Sequence, residues 1–141
     1  MYNITILFKD PKKETTFNMN LNQITIQVLN VELCCEFYKT LGLHLIVNAL
    51  PRYARFLCPN GDSTFSIHKT ENTTGNTTTI YFEVDDIEST YKSLLKKGIV
   101  FESSPELKSW LWTEALCKDP NGNAIIIYHA GKNRKNPPWR I

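Results

Sequence analysis

No stretch of about 18 consecutive apolar residues occurs in this 141-residue chain, so a membrane-spanning helix is not expected. Neither sign of charge is in marked excess. The formal net charge is +2 and the pI about 8.3, too weak a bias to signal nucleic-acid binding. Glycine is sparse: the six glycines are scattered and form neither G-x-G-x-x-G nor a Walker pattern, so a phosphate-cradling loop is excluded. The four cysteines, Cys34, Cys35, Cys58 and Cys117, contain no C-x-x-C pair. Neither a disulfide framework nor a zinc knuckle is indicated, and reduced, buried thiols in a cytoplasmic protein are the expectation. The first residues lack the basic and apolar regions of a secretory signal.

What is present suits one soluble domain. Hydrophobic residues at 42% and charged residues at 21% match an ordinary globular chain, and this length buries a core without staples. An internal repeat organises it. "QITIQVLNVE" from Gln23 and "TIYFEVDDIE" from Thr79 align without a gap, Ile24 with Ile80, Ile26 with Phe82, Val28 with Val84 and Glu32 with Glu88. Each copy reads as a strand of alternating apolar and polar residues, then a helix with Asn30 or Asp86 (or Asp85) as N-cap. The helical stripes are Leu33, Phe37 and Leu41 in the first copy, and Ile87, Tyr91, Leu94 and Leu95 in the second. Gly42 and Gly98 follow where a left-handed residue ends a helix. Three strand-like runs come next, at 43–50, 52–58 and 63–69, then at 99–103, 109–118 and 123–129. The turns "PNGD" and "DPNGN" separate the last two runs of each half. The expectation is an α+β fold of two β-α-β-β-β modules.

The repeat, together with "FYKTLGL" at 37–43 and "DPNGN" at 119–123, resembles the vicinal oxygen chelate superfamily of glyoxalases, bleomycin-resistance proteins and dioxygenases, over about residues 21–130. The resemblance implies modules at 21–70 and 77–130 forming a cup-shaped, open mixed barrel with helices outside. Residues 1–20 are then an N-terminal extension, in which "YNITILF" reads as an extra strand. Residues 131–141 are a tail, expected to pack through Trp139. The resemblance also implies a homodimer, because relatives commonly complete their clefts by pairing.

Metal-using relatives hold a divalent ion by side chains from the first and last strand of each module. Carried onto this chain, those positions are Gln23, Ser66, Thr79 and Ile126. Only Gln23 is a known alternative ligand in the family, and one weak ligand does not hold a catalytic ion. No cofactor is therefore expected, with a divalent metal kept only as the alternative.

If Gln23 and Thr79 face the cup, alternation brings Gln27, Ser66, His68, Tyr81, Glu83 and Tyr128 with them. His68 and Glu83 are either an acid/base pair or an unorthodox metal site, or else a buried hydrogen-bonded network. Trp110, Trp112 and Glu114 share one strand face, as a box for a flat or cationic ligand or as core or dimer interface. Tyr53 and Arg55 share another. Arg55 either grips a carboxylate or phosphate or pairs with Glu83 or Glu114. His44 is read as surface or packing.

The leading expectation is a small-molecule binder using Tyr53, Arg55, Trp110, Trp112, Glu114, Gln23 and Tyr128, with no nucleic-acid or membrane partner. The alternative is a lyase, isomerase or dioxygenase-type enzyme with His68, Glu83 or Glu114 as its acid/base groups. A third is a structural module whose cup is filled by side chains.

Overall fold

Each module opens with the same local chemistry. Asn30 and Asp86 sit in extended backbone, and their side-chain oxygens accept from Leu33 N and Ser89 N, satisfying N–H groups that a helix start leaves free. The helices end at Gly42 and Gly98, whose φ values of +105° and +94° are disfavoured for a side-chain-bearing residue. The computed structural model describes residues 18, 20–72 and 78–141. The expected strand at "YNITILF" and the rest of 1–17 lie outside the described residues.

The first module runs β1 (Gln23–Val28), α1 (Val31–Thr40), β2 (His44–Ala49), β3 (Tyr53–Leu57) and β4 (Thr64–Lys69). The second runs β5 (Thr79–Glu83), α2 (Ile87–Lys96), β6 (Glu106–Leu107), β7 (Thr113–Lys118) and β8 (Ala124–His129). Strand order is β1-β4-β3-β2 in one sheet and β5-β8-β7-β6 in the other. β1 pairs parallel with β4 and β5 parallel with β8, while the remaining pairs are antiparallel. This is the α+β pair of β-α-β-β-β modules expected from the repeat, built as two mixed sheets and not as a closed barrel.

The helix-facing sides of both sheets share one core. Ile26, Val28, Phe56, Phe65 and Ile67 from the first module join Ile80, Leu94, Cys117, Ile125 and Ile127 from the second, and Phe65 meets Phe82 edge-on at 6.4 Å. Burying each such aliphatic or aromatic side chain contributes about 1.5–3 kcal/mol. Two polar contacts also cross between modules: Tyr38 Oη donates to Asp119 Oδ2 at 2.6 Å, and Leu29 N donates to Asn121 Oδ1 at 3.1 Å.

Four details depart from the expectation. The buried stripe of α1 is Val31, Cys34, Cys35 and Tyr38, with Leu33 54% exposed, because α1 turns the face carrying Tyr38 toward Asp119. Ile24 and Leu95 are more than a third exposed, Ile24 because β1 is an edge strand. The run 99–103 makes a single bridge, Phe101 to Cys117; after the bends at Ser103 and Ser104, Pro105 has no N–H to continue the ladder, and pairing resumes at Glu106–Leu107. The tail is anchored by Gly131, Asn133 and Arg134, while Trp139 is 57% exposed.

Candidate functional site

Register decides which residues share the faces turned away from the core. In the first sheet Thr25 lies beside Ser66 and Gln27 beside His68, and across β3 Arg55 pairs with Ser66 and Tyr53 with His68. Gln23, Tyr53, Arg55, Ser66 and His68 therefore occupy one sheet face. Ser66, fully buried, is its hub. Gln23 Nε2 donates to Ser66 Oγ at 3.0 Å, Tyr53 Oη and Ser66 Oγ share a bond of 2.7 Å, and Arg55 Nε donates to Tyr53 Oη at 2.8 Å and weakly to Ser66 Oγ at 3.4 Å. Gln23 Oε1 accepts from Thr64 Oγ1. The Ile24 carbonyl, 3.1 Å from Gln23 Nε2, fixes which way round the amide lies, since only an N–H faces a carbonyl favourably. His68 is exposed and meets Tyr53 edge-on at 6.2 Å.

The second sheet presents an aromatic face. Tyr81 pairs with Ile126, and Tyr128 lies between Glu83 and Glu114. Trp112 stacks on Tyr128 at 4.7 Å and 19°, and Tyr81 meets both rings edge-on at 5.8 and 5.6 Å. Burial, then the neighbouring Glu83 carboxylate, pushes the Tyr128 phenol up.

Trp110 and Trp112 are not on a strand, as alternation had suggested. They sit in the β6–β7 connection, where Lys108 N donates to Trp112 O and Leu111 takes a φ of +68°. That strained turn still sets Trp110 Nε1 on Glu114 Oε2 at 2.7 Å, but it sends Trp112 Nε1 to Asn133 O at 3.2 Å. Glu114 is buried and paired in this way.

His68 and Glu83, paired as acid/base candidates from sequence, are not brought together. Glu83 Oε2 accepts from Ala130 N and Gly131 N at 2.8 and 3.0 Å, and Oε1 lies 3.5 Å from Arg134 Nε. Glu83 thus caps the short 3-10 turn Gly131–Asn133. Arg55 pairs with neither Glu83 nor Glu114. No hydrogen bond, ion pair or aromatic contact joins the first-sheet set to the second-sheet set among the described residues. His44 is exposed, and the burial of Cys34, Cys35, Cys58 and Cys117 pushes all four thiols up, so no thiolate is activated. Asn133, Arg134 and Thr64 escaped the sequence reading; nothing in periodicity marks a tail residue that reaches a sheet.

An open groove of about 720 Å³ runs between the modules, bordered by the edge strands β1 and β5. Gln23, Glu83 and Tyr128 line it, with Leu41, Leu94 and Arg134.

The family's metal positions can be tested on this geometry. Gln23 has its carbonyl oxygen occupied by Thr64, Ser66 is a neutral hydroxyl within its own network, Thr79 is exposed and Ile126 carries no donor atom. These residues do not fit a divalent ion. Among the described residues no group of three or more His, Cys, Asp or Glu side chains is placed to hold a metal, and no helix is long and apolar enough to cross a membrane.

Residues 20–127 match the model of the Glyoxalase/Bleomycin resistance protein/Dioxygenase superfamily. The chain belongs to that superfamily. It is 30% identical over 128 residues to Uncharacterized protein YraH of Bacillus subtilis (strain 168), an alignment covering 78% of this chain and 98% of YraH. In fold, this superfamily member is similar to a glyoxalase/bleomycin resistance protein/dioxygenase from Nocardioides, with a TM-score of 0.71, 20% identity and coverage of 90% and 92% of the two chains. It is also similar to lactoylglutathione lyase from Agrobacterium tumefaciens, with a TM-score of 0.68, 12% identity and coverage of 83% and 96%.

Proposed function

We propose that this superfamily member binds a small molecule without a metal, between the polar face of its first sheet and the aromatic face of its second. The observation that carries the reading is the Ser66 hub. Where the family places a metal-binding carboxylate, this chain has a hydroxyl tied to Gln23, Tyr53 and Arg55. Tyr53, Arg55 and Gln23 supply directed polar groups, and Trp110, Trp112 and Tyr128 supply an aromatic wall in which Glu114 holds Trp110, the mixture of polar and aromatic groups that small-molecule sites use.

In this reading a second copy of the chain completes the cleft. Tyr81 and Trp110, 47% and 44% exposed, border the aromatic face of the second sheet, and exposed aromatic surface gathered in one place favours pairing. The four unpaired thiols support a cytoplasmic location.

Protein purified without chelator is analysed for metals by plasma mass spectrometry and for co-purifying ligand by native mass spectrometry. The expected result is substoichiometric metal and a small-molecule mass adduct on the folded protein. Stoichiometric Zn, Ni, Mn or Fe would end the metal-independent reading.

A further inference from the structure

Arg55 is held at one guanidinium nitrogen and open at the other two. Its Nε is spent on Tyr53 and Ser66, and its guanidinium carbon lies over the Tyr53 ring, 5.6 Å from the centroid. These contacts fix the direction of the guanidinium. Its two terminal nitrogens donate to nothing, and no carboxylate lies within ion-pair distance, among the described residues. The side chain is exposed on the sheet face and not folded into the core.

The neighbouring hydroxyls add a second, independent observation. Tyr53 and Ser66 own two hydroxyl protons between them, and their mutual bond uses one. The other groups approaching the pair, Gln23 Nε2 and Arg55 Nε, are donors. One O–H therefore has no acceptor among the described residues, whichever of the two hydroxyls carries it. The place where the family sets acceptors around a cation here sets donors around a fixed positive charge.

We propose that Arg55, Tyr53 and Ser66 form an oxyanion-binding site, with the guanidinium fork taking two oxygens of a carboxylate or phosphonate and the spare hydroxyl proton reaching one of them. The proposal rests on the reading of this face as ligand-binding and names the ligand's handle: a small acid, not a neutral or cationic molecule. A planar, always-charged fork held at Nε is preorganised for two parallel bonds, which an ammonium does not reproduce.

The test uses benzoate, phenylphosphonate and the neutral analogue benzamide as probes of the full chain. The Arg Nε–H resonances are followed by nitrogen-15 NMR, and affinity is measured by calorimetry. Expected is a saturable shift of the Arg55 Nε–H signal with benzoate or phenylphosphonate, the tighter of the two naming the oxyanion class. Benzamide should bind at least about tenfold more weakly, and Arg55→Gln should weaken the acid about tenfold or more. Arg55→Lys, which keeps the charge, should recover only part of the loss, and Arg140→Gln on the tail should change nothing. Equal binding of benzamide and benzoate, indifferent to Arg55→Gln, overturns the oxyanion site and leaves the ligand-binding reading standing. No binding by any of the three overturns both.

Discussion

Tyr38 Oη lies 2.6 Å from Asp119 Oδ2, and with that bond the two short motifs that marked the family touch each other. Tyr38 belongs to "FYKTLGL" and Asp119 to "DPNGN". The Asp119 carboxylate is buried and also accepts from Asn121 N, Asn123 N and Asn123 Nδ2, each at 2.9 Å. The turn therefore does more than reverse the chain. It presents a fully hydrogen-bonded carboxylate that fastens the second module to the helix of the first.

Removing the Tyr38 hydroxyl should expose how much that clasp contributes. Tyr38→Phe leaves the ring packed against Phe65 but takes one donor from a buried carboxylate. A loss of about 1.5–3 kcal/mol is expected from urea unfolding, the range for hydrogen bonds to charged groups. A change below about 0.5 kcal/mol would show that Asp119 is satisfied by its own turn.

Alkaline pH should destabilise the fold through its thiols. Burial and the charge of Asp119 push Cys34 and Cys117 from 9.0 up to about 12. The unfolded chain loses these protons from about pH 9, while the folded chain holds them to about pH 12. In that window the unfolded state binds fewer protons, so stability is whole below pH 9 and falls as pH rises toward 12. The Tyr38 phenol, also raised by burial and Asp119, acts in the same direction. Melting temperature measured across this range should drop, and Cys117→Ala should flatten the slope.

Glu83→Gln should loosen the tail and not abolish a reaction. The carboxylate caps Ala130 N and Gly131 N, so a neutral amide weakens two charge-assisted bonds. Amide hydrogen exchange at Ala130 and Gly131 should accelerate several-fold, with global stability lowered by about 1 kcal/mol or less. Unchanged exchange at both amides would place the anchoring of the tail elsewhere, on Trp112 and Asn133.

Self-association should be visible by sedimentation. A dimer is expected at micromolar concentration, and Tyr81→Lys, which puts a charge on an exposed aromatic of the second sheet, should shift it toward monomer. A monomer at all concentrations would leave each polar and aromatic face to act alone.

Much of this was legible in the linear sequence. The repeat from Gln23 and Thr79, the caps at Asn30 and Asp86, and the glycines at 42 and 98 are local facts. A strand's alternation and a helix's termini depend on neighbours a few residues away. The same alternation gathered Gln23, Ser66, His68, Tyr81, Glu83 and Tyr128 into one cup; register gives Gln23, Ser66 and His68 to a face of the first sheet and Tyr81, Glu83 and Tyr128 to a face of the second, with no contact joining the two sets among the described residues.

Partnership was not legible. Sequence offered Glu83 to His68 and Arg55 to Glu83 or Glu114. The tail claims Glu83 and Trp110 claims Glu114, because a carboxylate leaving bulk water takes whichever donors the tertiary fold brings within reach. Likewise, Trp112 turns to Tyr128 and Asn133 through a turn at Leu111 that no periodicity announces. The sequence by itself determined the two modules and the alternation along their strands, because both depend on neighbours a few residues away. Only the tertiary structure decided that Ser66 is a hydrogen-bond hub and that Arg55 stands beside it with no carboxylate in ion-pair distance among the described residues. Hydrogen bonds and ion pairs are settled by distances of a few ångströms across the folded chain, which the order of residues does not contain.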